Sequence, residues 1–377
     1  MIGIVTFHAS HNHGSMLQAY ATQQTLSKMS YESEIINFRM KSQKEYYALY
    51  QTKYGAMRFF RGLLLLPIHR ARMEREKKFE RFLNSRYRLS PEELHTYTDL
   101  QSVKDRYDIF LSGSDQIWSN RIPELVGSDV DYSGVYFLDF TPDNAKRVAY
   151  ASSIGEATAE DLKSKLQLLD RFADISTREK YGADILEKVT GRNIKTVVDP
   201  TFLLNGDQWR QVATKERPIR NRYLFLYTLK GIRPGQKWAK ALTNFAKKHE
   251  LEVVCVSPFF PIVYPKVKCL VNVGPEDFLS LIDHADLVFT DSFHGTAFSI
   301  NLNKPFYSMT ASDSKDQRKT GFLRELGLGN RVLTNFESIA NIDDYRLDYS
   351  GVNRILKEKR YNSIQYLKSA LCSKKYT

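Results

Sequence analysis

Short apolar runs recur along the chain, each followed by polar residues and then by a stretch with helical spacing. Ile2–Phe7, Glu34–Phe38, Asp108–Leu111, Arg147–Ser153, Ile175–Thr177 and Thr196–Pro200 carry the apolar runs of the first half. Tyr223–Leu229, Leu251–Ser257 and Asp286–Thr290 carry those of the second. Runs this short predict buried strands, and helices between them predict parallel sheets. Helices are expected from Gly14 and Ser15 to about Met29, from near Asp161, and over Pro234–His249, Glu276–Ala285, Thr296–Asn301 and Val352–Leu371. Residues 317–331 read as a loop and helix with Arg318 and Lys319 at its entry. Pro200 breaks the last run of the first series, which places a domain boundary near residue 200.

Three domains or segments follow. Residues 1–200 form one α/β domain carrying a helical insertion over about 41–100. Residues 201–350 form a second, and residues 351–377 a terminal helix expected to pack back on the first. A length of 377 residues with 42% hydrophobic content suits two cores. The N-terminus opens on a strand-like run, not a signal peptide. No apolar stretch reaches the ~20 residues of a membrane span. Three cysteines without pairing or metal spacing read as reduced thiols, so a cytoplasmic protein is expected.

The net charge of +12 is concentrated. Between Lys53 and Arg88 stand eleven Lys and Arg residues against Glu74, Glu76 and Glu80, and RFFRGLLLLPIHR mixes apolar residues among them. Two readings stay open: a helix on the anionic inner face of the cell membrane, or an amphipathic insertion packed on its own domain. Nucleic acid is not an expected partner, since zinc spacings and RNA-binding motifs are missing.

Candidate chemistry lies where strands end, because parallel sheets bind ligands beyond their carboxyl ends. In DLVFTDSFHGTAFSINLNKPFY, residues 286–307, a strand leads through a polar turn into a helix whose first N–H groups can hold an anion. His294 stands at that seat, either as a proton donor or as a residue that only caps the turn. Ser112–Gln116 end another strand, and Asp115 there is either a proton acceptor or the tie of its own loop. Arg178, entering a helix after Thr177, is either an anion clamp or the partner of a local acid such as Glu179. His8, His11 and His13 lack acidic or sulfur neighbours, and no metal is expected.

Taken together, GIVTFHASHNHGSMLQAYA, DIFLSGSDQIW, RVAYASSIG, DISTREKYGADIL, VVDPTFLL and FTDSFHGTAFSINLNKPF resemble the polysaccharide pyruvyl transferase family. The resemblance covers most of the chain and is weakest over the insertion. It implies two Rossmann-like domains facing a cleft in a GT-B-like arrangement. It implies transfer of pyruvate from phosphoenolpyruvate, a co-substrate, onto two hydroxyls of a hexose in a surface or exopolysaccharide precursor, lipid-linked or not, to give a cyclic ketal. No other cofactor is implied. His294 carries over as the catalytic residue and Arg178 is the nearest match to a donor-binding arginine. Ser292 stands where the family has an arginine, so another cation must meet the donor. Arg178 and Arg318, with Ser292, Phe293 and the N–H groups of Gly295 and Thr296, are the expected donor site, and Asp115 the acceptor-side base. His13, Gly14, Ser114, Gln116 and Ser152 are acceptor-side candidates. Two rival functions stay open: a GT-B-like glycosyltransferase using a nucleotide sugar, and a catalytically silent glycan-binding or assembly protein.

Overall fold

The structure is a computed structural model that describes residues 1–46, 66–119, 122, 133–229, 237–257, 264–310 and 317–372. The chain divides into two compact units, one of Met1–Leu66, Leu83–Leu203 and Lys357–Thr377, the other of Pro67–Phe82 and Leu204–Leu356.

In the first unit β1 (Ile2–Val5), β2 (Ser33–Ile35), β3 (Ile109–Ser112), β4 (Lys146–Ala149), β5 (Asp174–Thr177) and β6 (Lys195–Thr196) form a parallel sheet of order β2-β1-β3-β4-β5-β6. Phe110 and Leu111 on β3, and Val148 and Ala149 on β4, are wholly buried, as a sheet covered on both faces requires. The flanking helices include α1 (His13–Lys28), capped by the Asn12 carboxamide, and α3 (Lys180–Thr190), ended by Gly191 in the left-handed region at φ 68°. In chain order α2 (His69–Arg86) comes between α1 and α3, and its residues up to Phe82 belong to the second unit.

The second unit repeats the plan. Strands β7 (Tyr223–Tyr227), β8 (Glu252–Val256), β9 (Val267–Leu270), β10 (Leu287–Thr290), β11 (Phe306–Met309) and β12 (Val332–Leu333) take the order β12-β11-β10-β7-β8-β9, all parallel. Helices α4 (Lys237–Lys248), α5 (Pro275–Asp283), α6 (Phe293–Asn301) and α7 (Gln317–Glu325) are among the helices that flank it. The last helix, α8 (Ser350–Cys372), is counted with the first unit from Lys357 onward, where the Ser363 hydroxyl accepts the Val198 N–H at 3.0 Å.

Both sheets share one property that bears on function. In the first, the chain order reverses between β1 and β3; in the second, between β7 and β10. Connections leave to opposite sides at such a point, and a crevice opens beyond the carboxyl ends of the two strands.

Two expectations need correction. Helix α6 begins at Phe293 and not at Thr296, because the Ser292 hydroxyl caps it by accepting the Gly295 N–H at 3.3 Å. The insertion does not belong wholly to the first unit, since residues 67–82 cluster with the second. Of the mixed apolar and basic stretch, residues 58–65 lie outside the described residues.

Candidate active site

In the second unit the switch point is tied shut by Asp291. Its carboxylate accepts the Thr228 hydroxyl and the Leu229 N–H, both at 2.8 Å, which joins the end of β10 to the end of β7. The Ser292 N–H donates to the Thr290 hydroxyl at 3.1 Å, and the chain turns directly into α6. His294 lies in the first turn, with 7% of its surface exposed and its ring edge-on to Phe293 at 5.3 Å. Gly295 is required by the approach of α6 to the sheet. A β-carbon there would run into the Thr290 side chain and meet the Tyr227 ring at 3.0 Å.

Behind this turn sits Lys319, 1% exposed, whose ammonium donates to the carbonyls of Asp291 at 3.1 Å and Met309 at 2.6 Å. A helix N-terminus and a buried ammonium act with the same sign and favour an anion at the turn, while the Asp291 carboxylate beside them acts with the opposite sign. The N–H groups of Gly295 and Thr296 do not hold that anion, contrary to the sequence expectation. The first is taken by the Ser292 hydroxyl, and the second donates to the Ser292 carbonyl at 3.1 Å. Ser292 therefore acts as the cap of α6. Arg318 enters α7, and its side chain lies outside the described residues.

In the first unit the switch point gathers a buried charged group. Asp115, at φ 76°, accepts the Ser15 hydroxyl at 2.6 Å and the Gln116 N–H at 2.8 Å. The Arg178 guanidinium donates to Asp199 at 2.7 Å and lies 3.6 Å from both Asp115 and Glu179. Asp199 also accepts the Thr201 N–H and hydroxyl, at 3.0 and 2.7 Å. Burial lowers the affinity of Arg178 for its proton, but the charges of Asp199, Asp115 and Glu179 outweigh burial and leave it raised. Arg178 is thus the counter-ion of three carboxylates, including the neighbouring acid that its position suggested. Of the four side chains, Asp115 is the most exposed, at 10% against 0–2% for the rest. A ligand beyond the sheet would meet its carboxylate first.

The other acceptor-side candidates divide. The Gln116 side chain is half-buried, while Ser114 and Ser152 are wholly buried and support the backbone. The Ser114 hydroxyl lies 3.0 Å from the Ala151 carbonyl and 3.1 Å from Asp199, and the Ser152 hydroxyl donates to the Ser112 carbonyl at 3.2 Å. His13 is buried at the start of α1, and the Gly14 N–H donates to the Asn12 cap at 2.9 Å. Polar side chains just past a strand end turn inward to satisfy exposed carbonyls, so Ser114 and Ser152 build the group without reaching an acceptor. Sequence reading missed Ser15, Gln18 and Asp199. Gln18 donates to the Thr6 hydroxyl at 2.8 Å and its carboxamide oxygen accepts the Ser114 N–H at 3.2 Å, fastening β1 to the Asp115 loop. Asp199 had one signal, its place before Pro200 at the end of an apolar run.

Two Rossmann-like domains, each with polar groups at its switch point, define an α/β protein of the GT-B-like class. Solved structures share the fold, and three of them show how far the likeness goes. A Listeria monocytogenes protein assigned as a UDP-N-acetylglucosamine 2-epimerase is 12% identical, with 100% of this chain and 98% of that one covered and a TM-score of 0.54. UDP-GlcNAc 2-epimerase from Methanocaldococcus jannaschii is 11% identical, with 96% and 99% covered and a TM-score of 0.52. S. aureus MnaA, solved with UDP, is 12% identical, with 100% and 98% covered and a TM-score of 0.52. No curated protein matches the sequence. The family model for polysaccharide pyruvyl transferase matches residues 12–313, and the chain belongs to that family.

Proposed function

We propose that the protein transfers pyruvate from phosphoenolpyruvate onto two hydroxyls of a hexose in a surface or exopolysaccharide precursor, forming a cyclic ketal. The observation that carries this reading is the placement of His294, in the first turn of α6 at a switch point, in a chain of the pyruvyl transferase family. Phosphoenolpyruvate brings a phosphate and a carboxylate, and the N-terminus of α6 and the Lys319 ammonium favour anions there. His294 gives a proton to the methylene carbon, leaving a cationic centre at the carbon that carries the phosphate. A first sugar hydroxyl adds to that carbon and loses its proton to Asp115. Phosphate then departs, and a second hydroxyl closes the ketal, its proton returning to the His294 ring. Ser15, Arg178 and the Gln116 N–H hold Asp115 in one orientation, which supports its use as a base.

The test is phosphate release from phosphoenolpyruvate in the presence of saccharide acceptors. His294→Ala is expected to lower it by about 10²–10⁴-fold, the usual share of general acid catalysis, and full activity in that variant would remove the assignment. Release of a nucleotide from a sugar nucleotide would favour the glycosyltransferase reading. Saccharide binding without consumption of any donor would favour a silent module. A lipid-linked acceptor would bring the protein to the inner membrane face, with the basic stretch as the contact; no described helix is long and apolar enough to cross a membrane.

A further inference from the structure

Two cysteines separated in the sequence stand side by side in the second sheet. Cys255 lies near the carboxyl end of β8 and Cys269 near that of β9, and the register of these parallel strands pairs them directly. Residues opposite one another on parallel strands point to the same face. Here it is the face that α4 covers. Cys255 belongs to the apolar cluster of Leu226, Leu242 and Phe245, and Cys269 packs against that cluster. Neighbouring strands run about 4.7–4.9 Å apart, inside the range of about 4.4–6.8 Å over which a disulfide can join two α-carbons. Both thiols are free cysteines in the structure.

The two thiols differ as a redox pair requires. Cys255 is wholly buried, while Cys269 is partly exposed on β9, the last strand in the sheet order. Burial pushes the Cys255 thiol well up, and its hydrogen bond with the Cys269 sulfur acts in the same direction. Cys255 therefore stays protonated and away from solvent, and Cys269 is the sulfur that an oxidant meets first. A sulfenic acid formed at Cys269 has a second thiol alongside, and such a pair condenses to a disulfide. The third thiol is placed differently. Cys372 is exposed near the end of α8, 3.2 Å from the Tyr31 hydroxyl of the first unit.

We propose that Cys255 and Cys269 form a reversible redox site, in which peroxide closes a disulfide between β8 and β9 and a dithiol reopens it. The Cys269 thiolate attacks one peroxide oxygen, the O–O bond breaks, and hydroxide leaves with the electron pair. The Cys255 sulfur then attacks the Cys269 sulfur, the S–O bond breaks, and the departing hydroxide takes up the Cys255 proton as water. In all, two thiols are oxidised to one disulfide and one peroxide is reduced to two waters. The bridge fastens the edge strand to β8, the strand beside β7. It involves no group assigned to pyruvyl transfer and does not depend on that reading.

The test is hydrogen peroxide applied to the native protein, with thermal melts before and after to establish that the chain stays folded. Thiols counted in urea are expected to fall from three to one, and to return to three after dithiothreitol. Lys266 and Lys268 lie between the two cysteines, so a tryptic digest of alkylated, unreduced protein is expected to show a Cys255 peptide joined to a Cys269 peptide. Cys372→Ser, which removes the exposed thiol, is expected to form the same bridge and to leave no thiol. Peroxide that carries Cys269 to sulfinic or sulfonic acid while Cys255 remains a thiol overturns the proposal. So does a bridge that takes in Cys372, or one that closes only in protein already unfolded by urea. Retention of both Cys255 and Cys269 as thiols at a dose that oxidises Cys372 overturns it as well.

Discussion

One hydrogen atom in place of a β-carbon lets α6 sit against β7 and β10. Gly295→Ala would force the Thr290 side chain and the Tyr227 ring apart, and overpacking of this kind costs about 1–3 kcal/mol. The expected result is a lower urea midpoint with an unchanged m-value. Activity should fall further than the stability loss accounts for, since His294 is the preceding residue. A second residue makes a pH prediction. Burial raises the Asp139 carboxyl, and hydrogen bonds from Tyr97 and the Phe140 N–H, with the charges of Lys165 and Arg171, only partly offset this. A carboxyl whose folded value lies above its unfolded one destabilises the fold when ionised, and that penalty disappears as pH falls through the folded value. Asp139→Asn is therefore expected to melt at or above wild type at pH 7. The gap should close as pH falls toward the ordinary carboxyl value of 3.8. At this scale the sequence spoke for His294 and Asp115, because each follows an apolar run directly. It was silent on the company they keep: the partners of Asp115 come from residues 15, 116 and 178, brought together only by the sheet order.

Elements were legible wherever their own residues settle them. Apolar runs of four or five residues became strands at β3, β7, β8 and β10, and the 3.6-residue spacing after Ser15 became α1. The start of α6 was not, because Asp291, Ser292 and Gly295 favour turns, and only the cap geometry shows that Ser292 opens the helix instead of extending the loop. Helix α2 shows the same limit. Phe79, Phe82 and Leu83 mark a buried face at helical spacing, but nothing local states that its first four turns would join the second unit. The docking makes a prediction at this scale. Lys78→Ala removes two partly exposed ion pairs, to Asp277 at 2.8 Å and to Glu74 at 3.6 Å, and is expected to cost about 1 kcal/mol or less. Asp277→Ala removes three bonds at once, to Lys78, to the Gly274 N–H that opens α5 and to the Thr214 hydroxyl. It should cost about 1–2 kcal/mol, the range for losing a helix cap. If chemical denaturation ranks the two variants equally, the cap and the Thr214 bond contribute nothing beyond the ion pair.

Across the whole molecule the charge of +12 is unevenly spread, and the described part of the basic stretch shows how it can be used. Phe79, Phe82 and Leu83 are buried in the protein, so among the described residues Met73 is the one large apolar side chain of α2 left exposed to meet lipid tails. Arg70, Lys77, Arg81 and Arg86 on the exposed side, with Glu76, leave a surface that can meet a membrane through charge. Each Lys or Arg near an anionic bilayer contributes about 1 kcal/mol, and that attraction fades beyond a Debye length of about 8 Å at physiological salt. Such a contact is reversible and salt-sensitive, unlike the insertion of an apolar helix face. The protein is therefore expected to sediment with phosphatidylserine vesicles at 50 mM salt, to be released by 0.5 M salt and to ignore neutral phosphatidylcholine vesicles. Replacing Arg70, Lys77 and Arg81 by glutamine should weaken sedimentation without changing the melting temperature by more than a few degrees. Binding that survives high salt would point instead to the apolar residues among the arginines, and the electrostatic account would have to be given up.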